Sequence, residues 1–269
     1  MMQAGVNIFV VADAADLQIQ RAAEALAKRL GLNMLLLEEM HRVDADESTL
    51  LLALGEHGLE LRDAAMRPGR GVWADFNWLH PRHAARRGTY SRTQPLARAI
   101  GKSSRTVLDA TTGLGQDAAL MACMGYCVTA VERSPILVAL LEDGLRRARL
   151  DPELSAAMGD RLQVISADAR DVLEQGELQP DVVYVDPMFP PKRKASALAP
   201  KAIRLVRRVV GEDEDAALLL ERAIKSGVRR VVVKRPHYAP PLGPQPTMSF
   251  TGKLVRYDTY IVQPPPPPV

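Results

Sequence analysis

From Arg105 onward, short apolar runs alternate with helical patterns, and this alternation limits the folds that the chain can adopt. The apolar runs fall at 106–109, 127–132, 162–166, 182–185 and 229–234, with helical patterns at 116–124, 135–149 and 214–225. Strands that are separated by helices usually pair in parallel, and the helices then cover both faces of the sheet. Two further strand-like runs between 248 and 262 would add a closing hairpin. We therefore predict an α/β fold with a mostly parallel sheet.

The first part of the chain has a mixed pattern, which predicts a small α+β subdomain. Strands are predicted at 8–12, 50–54, 59–62 and 72–76, with the two middle strands forming a hairpin. Asp16 can cap a helix that runs to about Leu30, and Gly31 can end it.

An acidic residue stands at or just after the end of four consecutive predicted strands. These residues are Asp109, Glu132, Asp168 and Asp186. Ligands bind outside the carboxyl ends of the strands in an open parallel sheet, so these acids are candidates for one shared site. Glu132 could hold the two hydroxyl groups of a ribose, or it could be an exposed cap or pair with Arg133. Asp168 could accept the amino group of adenine or, equally, cap the helix that follows it.

The segment Asp109-Ala110-Thr111-Thr112-Gly113-Leu114-Gly115 follows a strand and opens a helix, as a ligand-binding glycine loop does. Gly113 and Gly115 allow positive φ angles and a close approach of the backbone to a ligand. Asp109 could orient this loop through bonds to its backbone amides. Asp117, in the first helical turn, could pair with the amino group of a methionine moiety or stabilise the helix dipole. An acidic cleft beside such a loop favours a nucleoside cofactor with a cationic sulfonium, which is S-adenosylmethionine.

The tetrapeptide Asp186-Pro187-Met188-Phe189 follows the apolar run Val182-Val183-Tyr184-Val185. The Asp186 carboxylate and the Pro187 carbonyl can accept N–H bonds from an exocyclic amine, and Phe189 can stack on the base that carries it. A core position at the sheet edge is the alternative for Phe189. The order of groups resembles the Asp-Pro-Pro-Tyr signature of methyltransferases that act on amino nitrogens. We therefore predict Asp186, Pro187 and Phe189 as the catalytic residues.

Basic residues follow this tetrapeptide at Lys192, Arg193 and Lys194. The net charge of the chain is only +3, but a basic run beside a candidate active site can neutralise the phosphates of a nucleic acid. Lys234 and Arg235, near the end of a later strand, are further candidates for phosphate contacts. A structural role through burial of its aliphatic stem is the alternative for Lys234.

Four strings together resemble the ribosomal RNA small subunit methyltransferase J family. They are Asp109-Ala110-Thr111-Thr112-Gly113-Leu114-Gly115-Gln116-Asp117, Glu132-Arg133-Ser134-Pro135, Asp186-Pro187-Met188-Phe189-Pro190 and Val232-Val233-Lys234-Arg235-Pro236. The resemblance implies a Rossmann-like class I methyltransferase with a mostly parallel seven-stranded sheet and helices on both faces. It also implies methylation of the exocyclic N2 of a guanosine in 16S rRNA, with S-adenosylmethionine as the cofactor.

The resemblance further implies which residues contact the cofactor. Together with Asp109, Gly113, Gly115 and Asp186, they are Gln116, Asp117, Glu132, Arg133, Asp168 and Ala169. The family usually has arginine where this chain has Gln116, and two serines where it has Asp168-Ala169. It also usually carries a run of glycines before a basic residue where this chain has Thr89-Tyr90-Ser91-Arg92-Thr93-Gln94.

We divide the chain into three parts. Residues 1–90 are expected to form the small N-terminal α+β subdomain, and residues 91–263 the S-adenosylmethionine-dependent methyltransferase domain. Residues 264–269, which are mostly proline, are expected to form a disordered tail.

Composition excludes several other classes of protein. Hydrophobic residues make up 47% and charged residues 25% of the chain, as in ordinary globular proteins, and no run is apolar enough to span a bilayer. The first 15 residues do not resemble a signal peptide, so we expect a cytoplasmic protein. Cys123 and Cys127 are expected to be reduced, buried thiols, and two cysteines are too few for a metal site.

We expect 16S rRNA or the small ribosomal subunit as the partner, and neither a membrane nor a metal.

The residues leave three alternatives open. One is a methyltransferase that acts on another amino nitrogen, in DNA, in a protein or in a small molecule. Another is a nicotinamide-binding oxidoreductase on the same fold, against which the missing third glycine of the loop argues. The last is a protein that binds RNA without catalysis.

Overall fold

A computed structural model describes residues 6–12, 16–36, 38–39, 48–65, 71–188, 201–211 and 215–262. In chain order, the elements are β1 (Asn7–Ala12), α1 (Leu17–Leu30), β2 (Asn33–Leu36), β3 (Thr49–Gly55), β4 (Gly58–Asp63), α2 (Pro81–Arg87), α3 (Pro95–Ile100), β5 (Thr106–Asp109), α4 (Gln116–Cys123), β6 (Cys127–Glu132), α5 (Pro135–Leu150), α6 (Pro152–Met158), β7 (Leu162–Ser166), α7 (Ala169–Gln175), β8 (Val182–Val185), α8 (Lys201–Val210), α9 (Ala216–Lys225), β9 (Arg230–Pro236), β10 (Met248–Thr251) and β11 (Val255–Ile261). A short 3-10 turn, Asn77–Leu79, precedes α2.

The chain divides into two compact units, each built from separate segments. The first unit takes in Met1–Asp75, Ser134–Leu150 and Pro191–Gly211, and the second takes in Phe76–Arg133, Asp151–Pro190 and Glu212–Val269. Helices α5 and α8 therefore belong to the first unit, although they follow strands of the second in the chain. The predicted division into residues 1–90 and 91–263 stays a prediction.

The first unit contains a four-stranded sheet in the order β2-β1-β3-β4. Strand β1 is parallel to both of its neighbours, whereas β3 and β4 are antiparallel and form the predicted hairpin. The core of this unit includes Val10, Leu50 and Leu52, which are fully buried. Helix α5 contacts β4 within the same unit.

Helix α1 begins and ends at the residues that the sequence predicts. The Asp16 side chain accepts hydrogen bonds from the backbone N–H groups of Gln18, at 2.6 Å, and Ile19, at 3.3 Å. These are two of the donors that a helix leaves without an intrahelical partner. At the other end, Gly31 has a φ of 66°, a left-handed conformation that glycine adopts without a steric penalty.

Replacing Asp16 by alanine is expected to lower the free energy of unfolding by about 1 kcal/mol, because the N-terminal amides of α1 lose their acceptor. Chemical denaturation measures this change. Glu24→Ala, at an exposed position in the middle of the same helix, is the matched control and should shift the free energy by no more than about 0.5 kcal/mol. Equal effects of the two substitutions would contradict the capping role.

The second unit contains a seven-stranded sheet in the order β10-β11-β9-β8-β5-β6-β7. Strands β5 to β9 are parallel, and β11 and β10 add the predicted antiparallel hairpin at one edge. The four residues of β8 are fully buried, as expected for a central parallel strand that is covered on both faces. The predicted α/β, Rossmann-like class I methyltransferase fold is therefore confirmed.

The order of the strands creates one point where the direction of chain progression reverses. Strand β5 pairs with β6 on one side and with β8 on the other, so the chain moves outward from β5 in both directions. The crevice at the carboxyl ends of the strands next to such a reversal is where open α/β sheets bind their ligands.

The structure also corrects some of the predicted elements. The expected strand at 72–76 is wrong: within that range, only Val72 forms a bridge, an isolated antiparallel pair with Leu61. The hydrophobic pattern did not indicate strand β2 or the helices α2, α3, α6 and α8. Helices α2, α3 and α6 have only six or seven residues, which is too short for two full turns of a helical pattern.

Candidate active site at the carboxyl ends of the parallel strands

The four predicted acids lie at the carboxyl edge of four neighbouring strands of the second unit. Asp109 and Glu132 are the last residues of β5 and β6, Asp186 directly follows β8, and Asp168 follows β7. Asp109 and Asp186 flank the reversal between β5 and β8. The sheet therefore gathers at one edge acids that are far apart in the sequence.

Hydrogen bonds tie the glycine loop between β5 and α4 to this edge. The backbone N–H of Thr111 donates to Asp109 Oδ1 at 3.2 Å, and the N–H of Gly113 donates to Glu132 Oε2 at 2.8 Å. The Thr111 hydroxyl accepts the backbone N–H of Asp186 at 2.6 Å. The loop is therefore linked to the ends of β5, β6 and β8.

Both glycines of the loop have left-handed backbone conformations, with φ angles of 57° at Gly113 and 76° at Gly115. A Cβ atom added to Gly113 would meet no other atom within 4 Å. Glycine is therefore favoured at residue 113 by the backbone angle and not by a lack of space.

Glu132 is buried, with 7% of its surface exposed. An ionised carboxylate can accept about four hydrogen bonds, so its contact with Gly113 is compatible with a second contact to a ribose. Arg133, the next residue, donates from Nη1 to Asp215 Oδ2 at 2.6 Å.

Asp168 caps α7 and pairs with Arg170. Its Oδ1 atom accepts bonds from the backbone N–H and the Nε of Arg170, both at 2.9 Å, and its Oδ2 accepts from Nη2 at 2.5 Å. The Arg170 side chain, more than any other group, holds the pKa of Asp168 below its ordinary value. Arg170 also pairs with Asp215 at 3.0 Å. The cap role is confirmed, and the contact of Asp168 with adenine stays a prediction, as does that of the buried Ala169 with the cofactor.

Lys234 in β9 lies between two acids of the site. Its Nζ donates to Asp117 Oδ2 at 2.7 Å and to Asp186 Oδ2 at 2.9 Å. Asp117 also accepts the hydroxyl of Tyr184 at 2.6 Å. Three elements, α4, β8 and β9, thus contribute to one hydrogen-bonded cluster of Asp117, Tyr184, Asp186 and Lys234, which we call the lysine cluster.

Burial governs the electrostatics of the lysine cluster and of the neighbouring Asp109. Burial raises the pKa of Asp109 well above its ordinary value, and the N–H of Thr111 only partly opposes this. Burial, followed by the charge of Asp117, likewise raises the pKa of Tyr184 and keeps its hydroxyl neutral. Burial alone would lower the pKa of Lys234, but the Asp186 and Asp117 carboxylates outweigh it and raise that pKa. Lys234 is therefore a partly buried, permanent cation.

Two of the predicted phosphate-binding residues thus have contacts inside the protein. Lys234 pairs with the two carboxylates, which agrees with the structural alternative for this residue. Arg235 is 6% exposed, and its Nε and Nη2 donate to the carbonyl of Pro240 at 3.2 and 3.0 Å. Contacts of either side chain with phosphates stay predictions.

The remaining predicted site residues are divided between described and undescribed parts of the chain. Pro187 follows Asp186 directly, and Gln116 begins α4 and accepts the indole N–H of Trp78 at 2.5 Å. Phe189 and the basic run Lys192, Arg193 and Lys194 lie outside the described residues, as does the proline tail.

Sequence reasoning missed the Tyr184 hydroxyl, the Arg170 side chain and the bridging position of Lys234. A signal was present for Tyr184, because a tyrosine in a strand that is buried on both faces needs a partner for its hydroxyl. No comparable local signal identifies the partners of Lys234, since Asp117 and Asp186 come from distant segments.

No metal-binding group of three or more His, Cys, Asp or Glu side chains is present among the residues that the structure describes. In the same ranges, no helix has the length and apolar character needed to cross a membrane. Cys123 and Cys127 are free thiols, and Cys127 is exposed, contrary to the expectation that both are buried.

Comparisons with known proteins agree with this architecture. Residues 35–262 match the family described as "Putative SAM-dependent methyltransferase". The chain is 42% identical over 243 residues to the ribosomal RNA small subunit methyltransferase J of Proteus mirabilis, covering 89% of this chain and 93% of that protein. It is 43% identical over 246 residues to the protein of the same name from Pseudomonas aeruginosa, with 89% of each chain covered.

A crystal structure of a SAM-dependent methyltransferase from Neisseria gonorrhoeae is also similar. It superimposes with a TM-score of 0.68 at 28% identity, and the match covers 95% of this chain and 96% of that one. The similarity therefore extends over nearly the whole chain.

Proposed function

Because the chain belongs to the ribosomal RNA small subunit methyltransferase J family, we propose that it methylates the exocyclic N2 of a guanosine in 16S rRNA. The enzyme is an S-adenosylmethionine-dependent methyltransferase, as its family is. The observation that carries the proposal is the bond of 2.6 Å between the backbone N–H of Asp186 and the hydroxyl of Thr111. It joins the candidate amine-binding residue to the candidate cofactor loop.

The residues at the sheet edge fit the chemical groups of this cofactor. The left-handed turns at Gly113 and Gly115 expose backbone to a ligand, and the buried Glu132 carboxylate suits ribose hydroxyls. Asp117 and Gln116, in the first turn of α4, suit the amino acid end of the cofactor. Further contacts are proposed for Asp109, Arg133, Asp168, Ala169 and Asp186. When bound, the cofactor supplies an electrophilic methyl group on a cationic sulfonium.

The proposed catalytic residues act on the target amine. The Asp186 carboxylate and the Pro187 carbonyl would accept the two N–H bonds of the guanine amine, which favours a pyramidal nitrogen with an available lone pair. The positive charge of Lys234 beside Asp186 stabilises the ionised form of this carboxylate. Phe189 would stack on the base, a contact that typically contributes about 1–3 kcal/mol. A separate strong base would be unnecessary, since the amine would lose a proton only after it has received the methyl group, to water or to the Asp186 carboxylate.

We further propose the partners and surroundings of the enzyme. Lys192, Arg193 and Lys194, with Lys234 and Arg235 as further candidates, would contact phosphates of 16S rRNA or of the small ribosomal subunit. The enzyme would act in the cytoplasm and would need neither a membrane nor a metal. Residues 1–90 would form its N-terminal subdomain, residues 91–263 its catalytic domain, and residues 264–269 a disordered tail.

The function is tested by methyl transfer to rRNA. Small subunits and naked 16S rRNA from cells that lack this gene are incubated with the enzyme and labelled S-adenosylmethionine, and the digested RNA is analysed by mass spectrometry. We expect N2-methylguanosine at one position of at least one substrate. Cofactor binding without any methyl transfer to either RNA would contradict the proposal and would favour another amine as the substrate.

Tryptophan fluorescence is expected to report cofactor binding. The chain has two tryptophans, and Trp78 is bonded to Gln116, the residue immediately after Gly115. Addition of S-adenosylhomocysteine should therefore change the emission of the wild type and of the control variant Trp73→Phe, but not that of Trp78→Phe. A change that survives in Trp78→Phe and disappears in Trp73→Phe would place the binding event elsewhere.

A further inference from the structure

The position of Lys234 indicates a role other than binding phosphate. Its Nζ lies 2.7 Å from Asp117 and 2.9 Å from Asp186, and the three side chains are only 20–27% exposed. Asp117 comes from the first turn of α4, on the cofactor side of the site, and Asp186 follows β8, where the amine is proposed to bind. One ammonium group thus connects the two halves of the site.

Several carboxyl groups surround Lys234. Asp109, at the end of β5, interacts with its charge, and Asp117 in α4 and Asp186 after β8 are bonded to it. The neutral hydroxyl of Tyr184 in β8 is bonded to Asp117. Tyr257, on β11, is the cross-strand partner of Lys234, and its pKa is raised by burial and then by Asp117. In this group, Lys234 is the cation that offsets three neighbouring carboxyl groups, and such groups repel one another when they are left uncompensated.

We propose that Lys234 is a positioning residue that holds Asp186 ionised and oriented for the target amine and ties it to Asp117 on the cofactor side. The inference rests on the proposed function in one respect, namely that Asp186 accepts the amine. For Lys234, this role within the site replaces the phosphate contact proposed above. Loss of its charge should act through Asp186, so the effect should depend on pH.

The sign of this dependence follows from the charges. A positive neighbour within a few ångströms typically lowers the pKa of a carboxyl group by about 1–3 units, so its removal should raise the pKa of Asp186 by a similar amount. In Lys234→Gln, Asp186 then becomes protonated at a higher pH than in the wild type. Activity should fall as the pH is lowered through the new pKa and recover as the pH is raised.

The test compares Lys234→Gln and Lys234→Arg with the wild type. The kcat with saturating small subunits is measured from pH 4 to pH 9, because an ordinary aspartate titrates at about pH 3.9 and a rise of about 1–3 units would bring the acidic limb into this range. We expect the acidic limb of the Gln variant to move upward by about 1–3 pH units, and that of the Arg variant to stay near the wild type because the charge is kept. A loss of kcat by the same factor at every pH, without rescue by arginine, would overturn the proposal in favour of a merely structural role.

A second measurement does not depend on the substrate. Carbon-13 NMR of labelled aspartate follows the Asp186 carboxyl in both proteins, with Asp186→Asn used to assign its signal. A higher pKa in Lys234→Gln supports the proposal even if no rRNA methylation is found, in which case only the proposed function fails. An unchanged pKa contradicts the proposal even if the enzyme methylates rRNA.

If Lys234→Gln does not fold, the wild type still decides the question. Carbon-13 NMR of labelled lysine should then show that Lys234 stays protonated beyond the ordinary lysine pKa of about 10.4. Titration of Lys234 below that value would mean that burial outweighs its interaction with the two carboxylates, and the proposal would be wrong.

Discussion

Replacing Asp186 by asparagine is expected to lower the kcat for methylation of rRNA by about 100- to 1000-fold, the usual cost of removing a preorganised electrostatic contact from an active site. Asparagine has nearly the same shape, but it carries no charge and presents only one acceptor oxygen. The variant also leaves the Lys234 ammonium with one carboxylate in place of two. The effect should fall more on kcat than on the affinity for S-adenosylhomocysteine.

The measurement is steady-state methyl transfer to unmodified small subunits, with the affinity for S-adenosylhomocysteine measured by calorimetry on the same proteins. Asp160→Asn is the matched control, because Asp160 is exposed in the turn before β7. The control should retain wild-type kcat. An Asp186→Asn enzyme with more than a tenth of the wild-type kcat would show that this carboxylate does not bind the amine in the transition state.

Replacing Glu132 by glutamine is expected to weaken the binding of S-adenosylhomocysteine by about 10- to 100-fold. A hydrogen bond to a charged group typically contributes about 1.5–3 kcal/mol, and each factor of ten in affinity corresponds to about 1.4 kcal/mol. The substitution weakens the proposed ribose contact. It also replaces the carboxylate that accepts the N–H of Gly113 at 2.8 Å, so the glycine loop loses part of its anchor.

Calorimetric titration with S-adenosylhomocysteine measures this loss. Glu177→Gln, at an exposed position in the loop before β8, should bind as the wild type does. Thermal unfolding without ligand separates a lost contact from a loosened fold. If Glu132→Gln binds with unchanged affinity, another group holds the ribose, and the role of the acid at the end of β6 must be reassigned.

Much of the sheet of the second unit was predictable from the sequence. Strands β5, β6, β7 and β8 begin and end at the predicted residues. For the central strand β8, the reason is that both of its faces are buried, so its sequence is a continuous apolar run. The helix caps were also predictable, since Asp16 and Asp168 act through amides two or three residues away. Local signals of this kind depend only on neighbouring residues.

The wrong strand and the missed short helices have different physical causes. The run at 72–76 has the composition of a strand, but a strand also needs a partner along its length, and only Val72 has one. Helices α2, α3 and α6 were not predicted because they are too short to show a hydrophobic period, although each begins at a proline. The first outcome depends on pairing with a distant segment, and the second on the small number of residues in each helix.

For the candidate site, the sequence was sufficient to identify the acids that end the strands, and the parallel sheet places them on one edge. Asp109, Glu132, Asp168 and Asp186 could be named without coordinates, because a strand end is a local property. The meeting of Lys234 with Asp117 and Asp186 could not be predicted in this way. The contacts of Lys234 depend on the order and register of strands, which are set by long-range pairing and burial across the whole sheet and not by any short stretch of residues.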